Sequence, residues 1–146
     1  RFLMSFRIVA AFQNMGKKMS DSKIIHMGGC HCGNIRFKIK APSVLTVLDC
    51  NCSICSKIAF LHLIVGREDF SLLSGQEHLT SYSFNTRTAQ HLFCNQCGVK
   101  SFYIPRSHQS SYSVNARCLD NKTWTDMKIA KFDGLNWESA ISTLNK

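Results

Sequence analysis

No apolar run in this 146-residue chain approaches the length needed to span a bilayer. Acidic residues are scarce, nine Asp and Glu against 18 Lys and Arg, and none precedes Asp21. Such a balance ordinarily points to an anionic partner. Yet there is no cluster of Lys and Arg with interleaved aromatics, which a nucleic-acid platform needs. Four of the basic residues (Arg1, Arg7, Lys17, Lys18) fall at the very start, so the body of the protein is only mildly basic. Low-complexity linkers are absent, and nothing repeats beyond short cysteine turns. The length therefore argues for one domain, able to bury a core but not a large one.

What the chain does have is cysteine, eight in all. Seven of them fall into three tight groups: Cys30-His31-Cys32, Cys50-Asn51-Cys52-Ser53-Ile54-Cys55 and Cys94-Asn95-Gln96-Cys97. Neighbours two or three positions apart make poor structural disulfides, because so short a loop constrains almost nothing in the unfolded chain. On an extended strand such neighbours also sit near the outer limit of disulfide geometry. A metal accepts the spacing readily, since Zn–S bonds of about 2.3 Å gather the sulfurs around one ion. Metal in turn implies a reducing compartment, the cytoplasm or nucleus. It also softens the charge: seven thiolates (−7) and two Zn²⁺ (+4) bring the formal +9 to +6.

Residues 1–22 read as an amino-terminal extension, with residues 23–146 as the zinc-binding domain. The extension is apolar from Phe2 to Phe12, broken by Arg7 and free of acids. It fits either a start-site variant beginning near Met19 or a mitochondrial presequence, which would place the protein in that organelle instead. Beyond it, Gly28-Gly29-Cys30-His31-Cys32-Gly33 reads as a tight turn. Ile35, Phe37 and Ile39 alternate with Arg36, Lys38 and Lys40, the mark of a half-buried strand. Further strands are expected at Val44–Asp49, Phe60–Val65, Phe70–Leu73, Val99–Ile104, Tyr112–Cys118 and Met127–Phe132. A hairpin from Leu79 to Phe93 turns at Asn85-Thr86-Arg87. Only Trp137, Ala140, Ile141 and Leu144 repeat at helical spacing, after a cap at Asn136. The expectation is a mostly β fold of short antiparallel strands with a short C-terminal helix, stapled by zinc.

The cysteine groups are unlike. Cys94-x-x-Cys97-Gly98 has the form of a zinc knuckle, and Cys30-x-Cys32-Gly33 can face the same ion. Together they make a closed Cys₄ site, which is structural. The central Cys50, Cys52 and Cys55 then supply three thiolates and no fourth. Zinc held by three protein ligands, with the fourth position for water or substrate, is the catalytic pattern. The alternative is that Cys118 or a histidine closes this site too. Of the histidines, His31 should point away from the metal between its neighbours. His62 reads first as a hydrogen-bonded core residue, His91 as a group beside the second knuckle, and His26, His78 and His108 as surface or loop residues.

Gly28-Gly29-Cys30-His31-Cys32-Gly33, Cys50-Asn51-Cys52-Ser53-Ile54-Cys55 and Phe93-Cys94-Asn95-Gln96-Cys97-Gly98, in that order, resemble the glutathione-dependent formaldehyde-activating enzyme family. The likeness is nearest its centromere protein V branch. Tyr82-Ser83-Phe84-Asn85-Thr86, Ala89-Gln90-His91, Ser101 to Ser107 and Arg117-Cys118-Leu119-Asp120 extend it over residues 25 to 140. The resemblance implies an Mss4-like β-tent, a structural zinc on Cys30, Cys32, Cys94 and Cys97, and a catalytic zinc on Cys50, Cys52 and Cys55. It implies a carbon–sulfur lyase with glutathione as co-substrate, acting on an S-hydroxymethylglutathione-type adduct whose carboxylates Arg106, Arg117 or a nearby Lys could hold. It also offers a non-catalytic alternative, a zinc module for a protein or chromatin partner. The long basic, proline-rich region that precedes this domain in centromere protein V has no match here.

Overall fold

The computed structural model describes residues 22–144. The extension read at residues 1–22 thus lies outside the described residues except for Ser22. Three sheets make up the fold. An antiparallel sheet takes the order β1 (Lys23–Gly29), β2 (Arg36–Pro42), β5 (Phe70–Ser74). A larger sheet runs β10 (Asp126–Phe132), β3 (Val44–Cys50), β4 (Leu61–Gly66), β9 (Ser111–Asn115), β8 (Phe102–Tyr103). The third is a hairpin of β6 (Leu79–Tyr82) and β7 (His91–Cys94). The mostly β expectation holds, and the described helices are short.

The core follows from the strand alternation. On β2 the apolar Phe37 and Ile39 are fully buried, while Lys38 and Lys40 face solvent. They meet Leu45 and Val47 of β3 and Val114 of β9, all fully buried. Phe37 stacks on Phe70 at 5.6 Å and meets Phe102 edge-on at 5.7 Å, which ties the two larger sheets together. The apolar run in β4 is buried almost throughout, on an interior strand that pairs with β3 and with β9.

One pairing was not legible in the sequence. β10 runs parallel to β3, in register from Val44↔Asp126 to Cys50↔Phe132. A parallel pair needs a long crossover, and here the crossover is most of the domain. Its effect is to bring the segment after Phe132 alongside the central cysteines. Several boundaries also differ from the sequence reading. Gly28 and Gly29 end β1 and pair with Phe37 and Arg36, where a turn was expected. Gly28 is required by close approach: a Cβ there would lie 2.6 Å from the Cys118 carbonyl oxygen and 2.7 Å from the Phe37 ring. The strand expected at Val99–Ile104 shrinks to Phe102–Tyr103. The one expected to reach Cys118 stops at Asn115, whose side chain accepts the Arg117 N–H at 3.1 Å and opens a 3₁₀ turn, Ala116–Cys118.

Two short helices flank the central cysteines. α1 (Cys55–Ile58) was not anticipated and starts on the last cysteine of the group. α2 (Trp137–Ala140) runs on into a 3₁₀ turn, Ile141–Thr143, as the C-terminal periodicity suggested. Asn136 makes no side-chain cap; its amide donates instead to the Asp133 carboxylate at 2.8 Å. Trp137, Ala140 and Leu144 pack against Cys50, Cys55 and Phe132, so the C-terminal segment forms one wall of the central site.

Candidate functional site

The outer cysteines gather as expected. The sulfurs of Cys30, Cys32, Cys94 and Cys97 lie within 4.8 Å of one another. Cys30 Sγ is 3.5 Å from Cys32 Sγ, and Cys32 Sγ is 3.7 Å from Cys94 Sγ. Each pair sits on a tight turn closed by a glycine in the left-handed region, Gly33 (φ 81°) and Gly98 (φ 75°). The Gly98 N–H reaches back to the Cys94 carbonyl at 2.8 Å. The Ile35 N–H points at Cys30 Sγ, 3.3 Å away. His31, exposed between Cys30 and Cys32, is not part of this group. Four soft donors gathered in this way fit a closed tetrahedral zinc.

The central group is assembled differently. β3 ends on Cys50, the following loop presents Cys52, and α1 begins at Cys55. The Cys55 N–H points at Cys52 Sγ at 3.5 Å. Hydrogen bonds from Cys50 and then Cys55 hold the Cys52 thiol far below the ordinary thiol range. Sharing with Cys50 and Cys52 pushes Cys55 up.

A histidine joins them. A ring nitrogen of His62, on β4, lies within 4.8 Å of the Cys50 and Cys55 sulfurs. His62 does make the core hydrogen bonds expected of it: Nδ1 is 3.0 Å from Ser113 Oγ and 3.3 Å from the Tyr103 hydroxyl. Its Nε2, however, is buried without a hydrogen-bond partner. Burial, with Lys100 nearby, lowers the His62 pKa to about 4, so the ring is neutral at physiological pH. Cys50, Cys55 and the neutral imidazole of His62 are thus gathered as donors of a kind that fits zinc, with Cys52 outside this group on the adjoining loop.

Cys118, the other candidate to close this site, is elsewhere. The turn after β9 carries it to Gly28 on β1, and its thiol is raised to about 11 by burial, with Cys30 and Cys97 contributing. It belongs beside the outer group. His26 also departs from expectation. Fully buried rather than on the surface, it bonds Thr123 Oγ1 at 2.5 Å through Nδ1 and faces the Ala41 and Pro42 carbonyls at 3.2 Å through Nε2. Its place on β1 opposite Ile39 explains the burial.

The central cysteines open onto a cavity of about 270 Å³. Its walls are mostly apolar, with Leu48, Ile54, Phe132 and Trp137 on one side and Phe84 and Tyr103 on another. Polar groups converge on it from His62, His91 and Arg106. Arg106 lies flat over Trp137, 3.7 Å from the ring centroid, and donates to the exposed Glu138 carboxylate at 2.7 Å. Arg117 is not in the wall; its Nε donates to the Ala59 carbonyl at 3.2 Å. His91 stacks between Phe84 and Tyr103 and meets Lys100 Nζ through Nδ1 at 2.6 Å. Burial lowers the His91 pKa to about 4 and that of Lys100 to about 8. Lys100 also sits over the Tyr103 ring at 3.8 Å.

Two contributors carried no sequence signal. Lys100 becomes significant only because the second knuckle folds its chain behind His91. Gly134 does so because β10 runs parallel to β3. A Cβ on Gly134 would stand 2.4 Å from Cys50 Sγ and 2.8 Å from Cys52 Cβ. Gly134→Ala is therefore expected to displace the central cysteines and spare the outer four. Metal analysis should find the ion of the central site lost or weakened and that of the outer site retained; two ions held as in the wild type would contradict the close fit.

Comparison with known proteins gives consistent results. A family model described as "Glutathione-dependent formaldehyde-activating enzyme" matches residues 25–132. A curated relative from Halomonas elongata, named "Putative glutathione-dependent formaldehyde-activating enzyme", is 32% identical over 78 residues. That match covers 48% of this chain and 50% of the relative, so the chain spans about half the length of the curated relative it matches. A crystal structure of a Rhodobacter sphaeroides protein superposes with a TM-score of 0.60 at 28% identity. It covers 71% of this chain and 99% of that one.

Proposed function

The chain belongs to the glutathione-dependent formaldehyde-activating enzyme family, and from that premise we propose that it is a zinc-dependent carbon–sulfur lyase acting on S-hydroxymethylglutathione. One observation carries the reading: Cys50, Cys52 and Cys55 converge at the edge of an apolar cavity that also holds an arginine and a histidine.

In the synthetic direction the glutathione sulfur bonds to the formaldehyde carbon, the thiol proton leaves, and the carbonyl oxygen becomes a hydroxyl. The lyase direction reverses each change. Cys50, Cys52 and Cys55 would hold the zinc, which would supply a Lewis acid favouring the thiolate form of the substrate sulfur. The protein's own groups do the rest. Leu48, Ile54, Phe132 and Trp137 exclude water from the reacting carbon. Lys100 donates to His91 Nδ1, which leaves the ring proton on Nε2. Neutral His91 can then donate a hydrogen bond to the aldehyde oxygen as charge develops there, with Lys100 behind it as the proton reserve.

Arg106 is the anchor assigned to a glutathione carboxylate. Its present partner, Glu138, is 80% exposed and easily exchanged for a ligand carboxylate in the same place. Arg106→Ala should raise KM for the glutathione adduct about 10-fold or more, the value of one charge-assisted hydrogen bond, and leave kcat within about two-fold. Steady-state kinetics with S-hydroxymethylglutathione checks this. An unchanged KM would move the carboxylate site away from Arg106.

The activity itself is tested by following S-hydroxymethylglutathione turnover in the zinc-loaded protein. A rate no faster than the spontaneous reaction overturns the proposal.

A further inference from the structure

We propose that His62 is a metal ligand of the central site, sharing the ion with Cys50 and Cys55, which stand within reach of it, and with Cys52 brought in from the adjoining loop, when no substrate is bound. This rests on the zinc reading above and alters it in one respect: the fourth position is filled at rest by the protein's own imidazole, and the substrate sulfur must compete with it.

Three observations converge on His62. A ring nitrogen lies within 4.8 Å of both the Cys50 and Cys55 sulfurs, close enough for one ion to touch all three. His62 is 6% exposed, and its Nε2 is the one buried side-chain nitrogen or oxygen among the described residues with no hydrogen-bond partner. Leaving such an atom unpaired costs about 1–3 kcal/mol, and a metal bond is the partner that would remove the cost. The other nitrogen is already committed. Nδ1 sits 3.0 Å from Ser113 Oγ, with the Tyr103 hydroxyl 3.3 Å away. A proton on Nδ1 donated to Ser113 fixes the tautomer whose Nε2 lone pair is free, the arrangement that orients ligating histidines in zinc sites.

The packing also holds the ring in place. β4 carries His62 opposite Asn115 on β9 and Leu48 on β3, a position on a central strand of the five-stranded sheet. Phe60 lies 4.6 Å and Tyr103 5.8 Å from the imidazole, centroid to centroid. Cys50, Cys52 and Cys55 come from a strand end, a loop and a helix start, segments that can adjust more readily than His62.

The two sites therefore differ in kind, Cys₄ outside and Cys₃His inside. An imidazole is a weaker donor toward zinc than a thiolate and the more readily exchanged. An incoming thiolate can take its place without unseating the cysteines.

The test is cadmium-113 substitution of the whole protein with ¹⁵N-labelled histidine, read by NMR. The expected result is two cadmium resonances, one of them coupled to the Nε2 of a single histidine. That coupling should vanish in His62→Gln and persist in His91→Gln. A chelator should also strip the central ion from His62→Gln at least about 10- to 100-fold more readily, the effect seen when residues that merely orient ligands are lost. Two cadmium ions with no histidine coupling in the wild type overturn the assignment of His62, yet leave the carbon–sulfur lyase reading standing on its own kinetic assay. One cadmium ion per chain overturns both His62 and the central metal. Turnover without His62 coupling, or coupling without turnover, tells the two apart.

Discussion

Cys52→Ser should abolish S-hydroxymethylglutathione turnover while leaving the protein folded. Cys52 is only partly buried and lines the cavity, so its loss opens no large core defect. Hydrogen bonds from Cys50 and Cys55 also hold its thiol below the ordinary range, toward the charged form a metal needs. A serine hydroxyl keeps the shape and discards that charge, which weakens the central metal and the charge balance that favours a substrate thiolate. Metal-ion stabilisation of a developing charge contributes several kcal/mol. Losing about 4 kcal/mol slows the reaction roughly 10³-fold. The melting temperature should stay within a few degrees of the wild type, and the outer zinc should remain bound. Retained turnover in Cys52→Ser would remove the central trio from the chemistry.

The second large effect falls on stability. Cys94→Ser is expected to unfold the domain or to lower its melting temperature by about 15 °C or more. Cys94 is fully buried and joins the β6–β7 hairpin to the turn before β2 through the outer group. A structural zinc contributes about 10–16 kcal/mol in small domains, comparable with a whole domain's stability of about 5–15 kcal/mol. Excess chelator on the wild type should have the same result, in two stages: turnover is lost first, as the central ion leaves, and the fold later, as the outer ion follows. A cooperative melt near the wild-type temperature in Cys94→Ser would deny the outer cluster its structural role.

How far the sequence carried this picture depended on whether the signal was local. The knuckles at Cys30 and Cys94 were legible because two ligands and a glycine within five residues already define the turn. Strand β2 was legible because Phe37 and Ile39 alternate with lysines. The C-terminal helix was legible from Trp137, Ala140 and Leu144, although Asn136 does not cap it. Long-range placement was not. Nothing near Gly134 announces that it will lie against Cys50; that follows from the parallel pairing of β3 with β10, separated by most of the chain. His26 looked like a surface or loop residue until the pairing of β1 with β2 buried it. Cys118 and His62 were both open candidates to complete the central site. The turn after β9 takes Cys118 to the other cluster, while β4 brings His62 to this one.

The same limits explain the cavity. Its apolar walls come from β3, the loop before α1, the turn after β6, β8, β10 and the C-terminal segment, and its polar groups from β4, β7 and the stretch after β8. No window of sequence contains it. Arg106 and Arg117 looked equivalent as anchors for a carboxylate, and only the geometry separates them: Arg106 lies over Trp137 at the cavity wall, and Arg117 is tied to the Ala59 carbonyl outside it.

The most direct test of the account is ¹³C exchange spectroscopy on labelled formaldehyde and glutathione with a catalytic amount of zinc-loaded protein. The account predicts a rise in the exchange rate between free formaldehyde and S-hydroxymethylglutathione, proportional to protein and lost when the central ion is removed. An exchange rate equal to the protein-free reaction, with both metal ions bound, would contradict it.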